Sequence, residues 1–429
     1  MTFTEFKLND ALLRAIADEG FTEPTAIQRS ALPPALAGRD VLACAMTGSG
    51  KTAAFVLPIL QRLGATPNRR ATRALVLTPT RELAAQVEEH LRALGRHTRV
   101  RSATVIGGVN AKPQERALRG GVDVVVATPG RLLDHLGTGA ARLDAVEVLV
   151  LDEADRMLDM GFLPDVRRIL ARVPRRRQTL LVSATLPKPI VALSCEVLDD
   201  PVRLDVERPA APATGVAQQV LPVPQALKPM LLLELIRRGE LETALVFTRT
   251  KHRANRLTAH LQRAGVACDR IHGNRSQKQR ETALAAFKAG RLKVLVATDI
   301  AARGIDVEAL PHVVNFDVPG QPEDYIHRVG RTARAGAAGD ALTFASPAEG
   351  GQLAAIERAV GRRLERRTLD GFDYRAQPGE RFEVPAAERI AAIRQQRAAG
   401  RERSRTKDAR PKDARRREVQ HRRRSAGGR

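Results

Sequence analysis

Tryptophan is absent from these 429 residues, tyrosine occurs twice, and aromatics make up only 3% of the chain. A protein that bound nucleic acid mainly by stacking bases on an aromatic platform would need more of them. Cysteine is scarce as well. Cys44, Cys195 and Cys268 stand far apart, match no metal or disulfide spacing, and read as core residues of a reducing compartment. No apolar run approaches the ~18 residues of a membrane span, and residues 1–20 are amphipathic without the form of a signal peptide. These absences point to the cytoplasm. Positive charge, by contrast, is in excess: 71 Lys and Arg against 48 Asp and Glu leave a formal +23. Such a balance calls for a polyanionic partner, most simply nucleic acid. The apolar fraction of 43% is that of a globular chain. The length suits two or three domains.

The chain is organised around AMTGSGKT, which comprises Ala45, Met46, Thr47, Gly48, Ser49, Gly50, Lys51 and Thr52. A short apolar run, Val41 to Cys44, precedes it and a helical pattern from Thr52 to Leu63 follows, as a phosphate-binding loop requires. Gly48 and Gly50 let backbone N–H groups wrap a phosphate, and the helix adds the positive end of its dipole. In this reading Lys51 reaches the β- and γ-phosphates of a nucleoside triphosphate, and the Thr52 hydroxyl ligates Mg²⁺. Ala45 stands where the general pattern has glycine.

Upstream, Phe3 to Glu19 reads as one helix, Pro24 blocks continuation, and Thr25 caps a new helix from Ala26. Gln28 carries an amide able to read an adenine edge. Downstream, the strands Ala74 to Leu77, Ala103 to Ile106 and Val122 to Ala127 end in loops bearing Thr80 and Arg81, Gly108, and Thr128 and Arg131. Ligand loops of parallel α/β sheets lie at the carboxyl ends of strands, where arginines and backbone amides suit phosphates. Val148 to Leu151 runs into Asp152-Glu153-Ala154-Asp155. A carboxylate directly after a buried strand is where such an enzyme holds Mg²⁺ through water, and Glu153 is placed to polarise the attacking water. The strand Thr179 to Val182 ends in Ser183-Ala184-Thr185, and the stretch around Pro209 to Gly215 is a linker signal. A second α/β unit follows without a phosphate loop, with strands expected at Ala244 to Thr248, Val266 to Ile271, Val294 to Thr298, Val313 to Phe316 and Ala341 to Phe344. Its sequence HRVGRTARAG sets Arg328, Arg331 and Arg334 three apart, which predicts one side of a helix. Arginines so placed are either a solvated face or fingers entering a nucleotide site on another domain. From 361 the pattern weakens, and beyond Arg401 it is basic and low in complexity, a disordered tail suited to phosphates.

Taken together, GFTEPTAIQ, AMTGSGKT, PTRELAAQ, GG, TPGR, DEAD, SAT, VATDIAARGID and HRVGRTARAG resemble, in order, the motifs of DEAD-box RNA helicases. Over residues 3 to 345 the chain looks most like the bacterial RhlE-like group. The resemblance implies an α/β fold of two RecA-like domains, each a parallel sheet flanked by helices. It implies a first domain over 1–206, a flexible linker over 207–218, a second domain over 219–360 and a disordered basic tail over 361–429. It further implies that Phe21 and Gln28 bind adenine, that Asp306 contacts ribose and γ-phosphate, and that Arg331 and Arg334 are fingers on the γ-phosphate. Thr80, Arg81, Gly108, Thr128, Arg131, Arg249, Arg280 and Thr298 match contacts to the RNA backbone. Ser183 and Thr185 match the segment that couples hydrolysis to strand separation, and His327 one that connects to the DEAD segment across the cleft. The implied activity is RNA-dependent hydrolysis of ATP with Mg²⁺, coupled to local duplex unwinding in RNA or RNA–protein complexes such as those of ribosome assembly or RNA decay. An ATP-gated RNA clamp and an RNA-annealing chaperone are the alternatives.

Overall fold

In the computed structural model the described residues are 2–45, 49–66, 71–205, 216–302, 310–332 and 339–377. Short runs such as VLAC, ALVL, VVVA and VLVL are apolar at every position and buried at every position. A strand covered on both faces has no polar side to present, so these runs pair in parallel under flanking helices. The first sheet contains β1 (Val41–Cys44), β2 (Ala74–Leu77), β3 (Ser102–Val105), β4 (Val124–Ala127), β5 (Val148–Leu151), β6 (Gln178–Ser183) and β7 (Val202–Asp205). The second contains β8 (Val216–Pro222), β9 (Ala244–Phe247), β10 (Cys268–Ile271), β11 (Val294–Ala297), β12 (His312–Asn315), β13 (Gly339–Ala345) and β14 (Glu365–Arg366).

The strand orders are β3-β4-β2-β5-β6-β1-β7 and β10-β11-β9-β12-β13-β8-β14, so the second sheet repeats the first with every strand shifted by seven. All recorded pairings are parallel, and every strand of a sheet therefore ends at the same edge. Separate apolar clusters lie on the two faces of the first sheet: Leu57, Val76 and Val150 belong to one, Leu75, Leu149 and Leu151 to the other. The second sheet is packed in the same way. Strand β8 occupies the place that β1 has in the first sheet, but runs into Pro222-Val223-Pro224 where β1 runs into a glycine loop. The second lobe thus repeats the scaffold without the phosphate loop. Among the described residues no helix is long and apolar enough to cross a membrane.

Several expectations need correction. Phe3 to Glu19 is two elements: a 3₁₀ turn, Phe3–Phe6, then a helix, Asp10–Asp18. Lys7 sits at φ 55° between them, and Asn9 accepts from Leu12 N–H to begin the second. Local capping outweighs continuous periodicity here. The linker expected over 207–218 is shorter at its end, because Val216, Ala217 and Gln218 already pair with β13. Gln218 is the residue that hides this strand; it is buried, and its amide oxygen accepts from the Tyr325 hydroxyl at 3.0 Å. The helix of HRVGRTARAG is Pro322–Val329, capped at Gly330, so Arg331 lies beyond it and does not share a helical side with Arg328. Residues 361–377, expected in the tail, fold back on the second sheet: β14 pairs with β8, and Leu364 and Leu369 are buried. Their apolar residues are too sparse to show a periodicity, so only tertiary packing reveals them. The expected linker positions 207–215 and the tail from 378 lie outside the described residues.

A chain ended at residue 360 loses this strap, whereas one ended at 377 keeps it. Burial of Leu364 and Leu369 at about 25 cal/mol per Å² makes the shorter chain melt roughly 5 °C or more below the longer. Equal thermal unfolding of the two would show that the strap adds nothing to the second lobe.

Candidate active site and nucleic-acid interface

The strand order of the first sheet sorts its loops. The loops after β1, β5 and β6 lie on one side of β2, and those after β4 and β3 on the other. AMTGSGKT, DEAD and SAT therefore share one half of the edge, and PTRELAAQ, TPGR and GG the other half.

In the first half Gly50 has φ +88°, a conformation that strains any residue with a Cβ, and begins the helix Lys51–Gly64. Lys51 and Asp152 are buried, and neither Lys51 Nζ nor Asp152 Oδ1 has a hydrogen-bond partner among the described residues. Burial raises the Asp152 carboxyl to about 6 despite the opposing Lys51 charge, with Glu153 adding to the rise. A buried ammonium and a buried carboxylate left unsatisfied beside a helix N-terminus fit the phosphate end of a nucleotide. Thr52 is half-buried on the first turn of the helix, and Ala45 N–H is tied to the Ser183 carbonyl at 2.9 Å. Glu153 is buried with φ 51° at the N-cap of Ala154–Asp159, a left-handed backbone that costs a non-glycine residue on the order of 1 kcal/mol.

Gln28 completes a capping box with Thr25 and donates from Nε2 to the Gly50 carbonyl at 3.0 Å. Its oxygen accepts from Thr25 N–H at 3.0 Å, so the amide expected to read adenine bears directly on the phosphate loop. Phe21 packs against the same core and stacks on Phe3, with centroids 6.5 Å apart.

DEAD and SAT are joined by one carboxylate. Asp155 Oδ2 accepts from both the backbone N–H and the hydroxyl of Thr185 at 2.9 Å, and Ser183 Oγ accepts from Asp155 N–H at 3.1 Å. The next residue, Arg156, reaches the second lobe, where it pairs with Asp324 at 3.4 Å and with His327 Nδ1. Asp155, Arg156, Thr185, Arg249, Thr298 and His327 are among the residues lining a cleft of about 750 Å³ between the lobes.

In the other half Thr80 caps Arg81–Gly95, accepting from Leu83 N–H, and Thr128 begins Pro129–Gly137. Gly108 has φ +77°, and the Arg81 guanidinium packs so closely on it that a Cβ would overlap it. Arg131 donates to the Val109 carbonyl at 3.3 Å, which brings the GG and TPGR loops together. From the second lobe Arg280 forms an ion pair with Glu82 at 3.0 Å, both side chains 10% exposed, and Gln277 donates to the same carboxylate at 3.3 Å. Arg280, expected at RNA, has a protein partner across the cleft. Arg249 lies just beyond β9, half-exposed, and Arg331 is largely buried. Met46, Thr47, Gly48, Asp306 and Arg334 lie outside the described residues.

Motif matching gives no role to Glu82, Arg156, Asp299 or Asp324. Arg328 is one more case: it forks onto Asp299 at 2.6 and 2.8 Å and lies 5.0 Å from the Phe247 ring centroid, a buried brace where a finger was one reading. Their signal was present in charged residues set directly beside buried strands or motif positions, but pairs so far apart in sequence carry no local pattern.

Two parallel sheets presenting their loop edges to a shared cleft, one with a phosphate loop and one without, define a two-lobed RecA-like nucleoside triphosphatase. Residues 25–193 match the DEAD/DEAH box helicase family and residues 227–336 the helicase conserved C-terminal domain. The chain is similar to the DEAD-box ATP-dependent RNA helicase CshA of Geobacillus kaustophilus, 43% identical over 89% of this chain and 82% of that one. Among solved structures it resembles S. cerevisiae Dbp5 bound to RNA and ADP BeF3, with TM-score 0.79 and 32% identity over 87% of this chain and 97% of that one. It also resembles Mss116p bound to ssRNA and AMP-PNP, with TM-score 0.78 and 27% identity over 87% and 80% of the two chains. The chain belongs to the DEAD-box family of ATP-dependent RNA helicases.

Gly108→Ala tests the second half of the edge. The added methyl displaces Arg81, so affinity for single-stranded RNA falls roughly fivefold while the KM for ATP at saturating RNA stays unchanged. Unchanged RNA affinity would remove this loop from the interface.

Proposed function

We propose that the protein separates short RNA duplexes locally by closing its two lobes on one RNA strand with ATP bound, and that hydrolysis reopens them. The observation that carries this reading is the Asp155–Arg156 step: consecutive residues hold SAT in the first lobe and reach His327 in the second. A change at the phosphate loop is thereby felt where the lobes meet.

In this mechanism Lys51 neutralises the β- and γ-phosphates, and Glu153, pre-set by its backbone, accepts a proton from the attacking water. Arg331 and Arg334 approach from the second lobe and stabilise the charge that develops on the γ-phosphate, with Asp306 beside them. Phe21 and Gln28 report adenine to the loop through Gly50. Mg²⁺ would be held by Thr52 and, partly through water, by Asp152, and would offset phosphate charge; the unpartnered Oδ1 of Asp152 supports this. Thr80, Arg81, Gly108, Thr128 and Arg131, with Arg249 and Thr298 opposite, contact the sugar–phosphate backbone. Such contacts carry little sequence information, so shape and strandedness select the RNA. A strand bent in the closed cleft leaves its duplex. The basic tail adds salt-sensitive RNA affinity. A cytoplasmic setting, the RhlE-like grouping and a place in ribosome assembly or RNA decay complete the proposal.

Steady-state ATP hydrolysis is expected to rise at least tenfold with single-stranded RNA and little with single-stranded DNA. Glu153→Gln is expected to retain RNA in the presence of ATP while turnover falls by at least about a hundredfold. Equal rates with and without RNA, or wild-type turnover in the variant, would contradict the mechanism.

A further inference from the structure

The second lobe buries a charge pair that lies outside every motif. Lys228 is 0% exposed; its Nζ lies 2.6 Å from Glu349 Oε2 and 3.0 Å from the Phe316 carbonyl. Replacing such a pair by apolar residues often leaves stability unchanged or higher, so stability alone is a weak reason for it. The geometry around Glu349 offers another. Ser346 N–H and Oγ donate to Oε2 at 3.0 and 2.7 Å, fixing that side of the carboxylate. Oε1 faces the other way, accepting from Val318 N–H at 3.2 Å and from Arg249 Nη2 at 3.4 Å. The same Nη2 donates to the Val318 carbonyl at 3.1 Å and to Gln352 Oε1 at 3.0 Å. The Arg249 backbone N–H is held at 2.8 Å by Asp317, itself fully buried and paired with Arg253.

Arg249 is thus anchored through one nitrogen and its backbone at the wall of the cleft between the lobes. Nε and Nη1 have no protein partner among the described residues, so they remain for an anion. An arginine held in this way loses little rotamer freedom when it meets a phosphate, whereas a long side chain held only by solvent loses much more. Burial pushes the Glu349 carboxyl up, but Lys228 and Ser346 outweigh it and leave it below the usual range, charged at neutral pH.

We propose that Glu349, seated on buried Lys228, is a positioning residue that presents the Arg249 guanidinium to the RNA backbone. The proposal rests on the reading of Arg249 as an RNA contact and adds what makes that contact effective. Lys228→Met with Glu349→Ala removes the seat without stranding a buried ammonium. Lys228→Met with Glu349→Gln keeps an acceptor opposite Arg249.

RNA-stimulated ATP hydrolysis of the full chain separates the possibilities. Arg249→Ala and the Met/Ala variant are each expected to raise the KM for single-stranded RNA roughly three- to tenfold, with kcat and the KM for ATP, both measured at saturating RNA, unchanged. Their effects should not add, the Met/Gln variant should recover most of the affinity, and Arg249→Ala should lower the salt slope of RNA binding by about 0.7. An effect of Arg249→Ala with none in the Met/Ala variant overturns the positioning role alone. A Met/Ala variant that loses thermal stability and, at saturating RNA, ATP affinity along with RNA affinity makes the pair merely structural, and also overturns it. No effect of Arg249→Ala removes the RNA contact and this role together.

Discussion

A parallel sheet gathers the carboxyl ends of all its strands on one edge, and this molecule does so twice. Neither edge is a complete site. The first holds a phosphate loop, a buried lysine and a row of carboxylates, and the second repeats the scaffold with prolines where the glycine loop would be. In the proposed mechanism a nucleotide and an RNA strand in the shared cleft would each touch both halves, so each would favour the same closed arrangement and help the other bind.

The contacts recorded across the cleft suit an equilibrium that ligands can shift. They are polar: Arg280 and Gln277 on Glu82 in one place, Arg156 on Asp324 and His327 in another. Ion pairs of this kind contribute little where water reaches them and a few kcal/mol at most where it does not, well within the reach of a bound triphosphate. Within each lobe, strands and helices share continuous apolar cores. Rigid halves with a polar seam are what the proposed mechanism needs for a local event at Asp155 to become a movement of whole domains.

Much of this was legible in the chain. Runs such as VLVL before DEAD announced buried parallel strands, and the order of short motifs named the family. What escaped was tertiary. The strand at Val216 was hidden because Gln218 is polar yet buried against Tyr325, and the strap beyond 360 has no periodicity of its own. Arg328 looked like its neighbour Arg331, and only Asp299 and Phe247, far away in sequence, make it a brace. Glu82 and Arg156 sit beside motif positions, but their partners lie well over a hundred residues away. Local pattern reports what a residue is, whereas partners set what it does.

In the proposed mechanism nucleotide and RNA together close the lobes. Energy transfer between dyes on one exposed engineered cysteine in each lobe, with Cys44, Cys195 and Cys268 replaced, measures this directly. High transfer is expected when a nonhydrolysable ATP analogue and single-stranded RNA are both present, and low transfer with neither or with only one. The same transfer under all four conditions would contradict it.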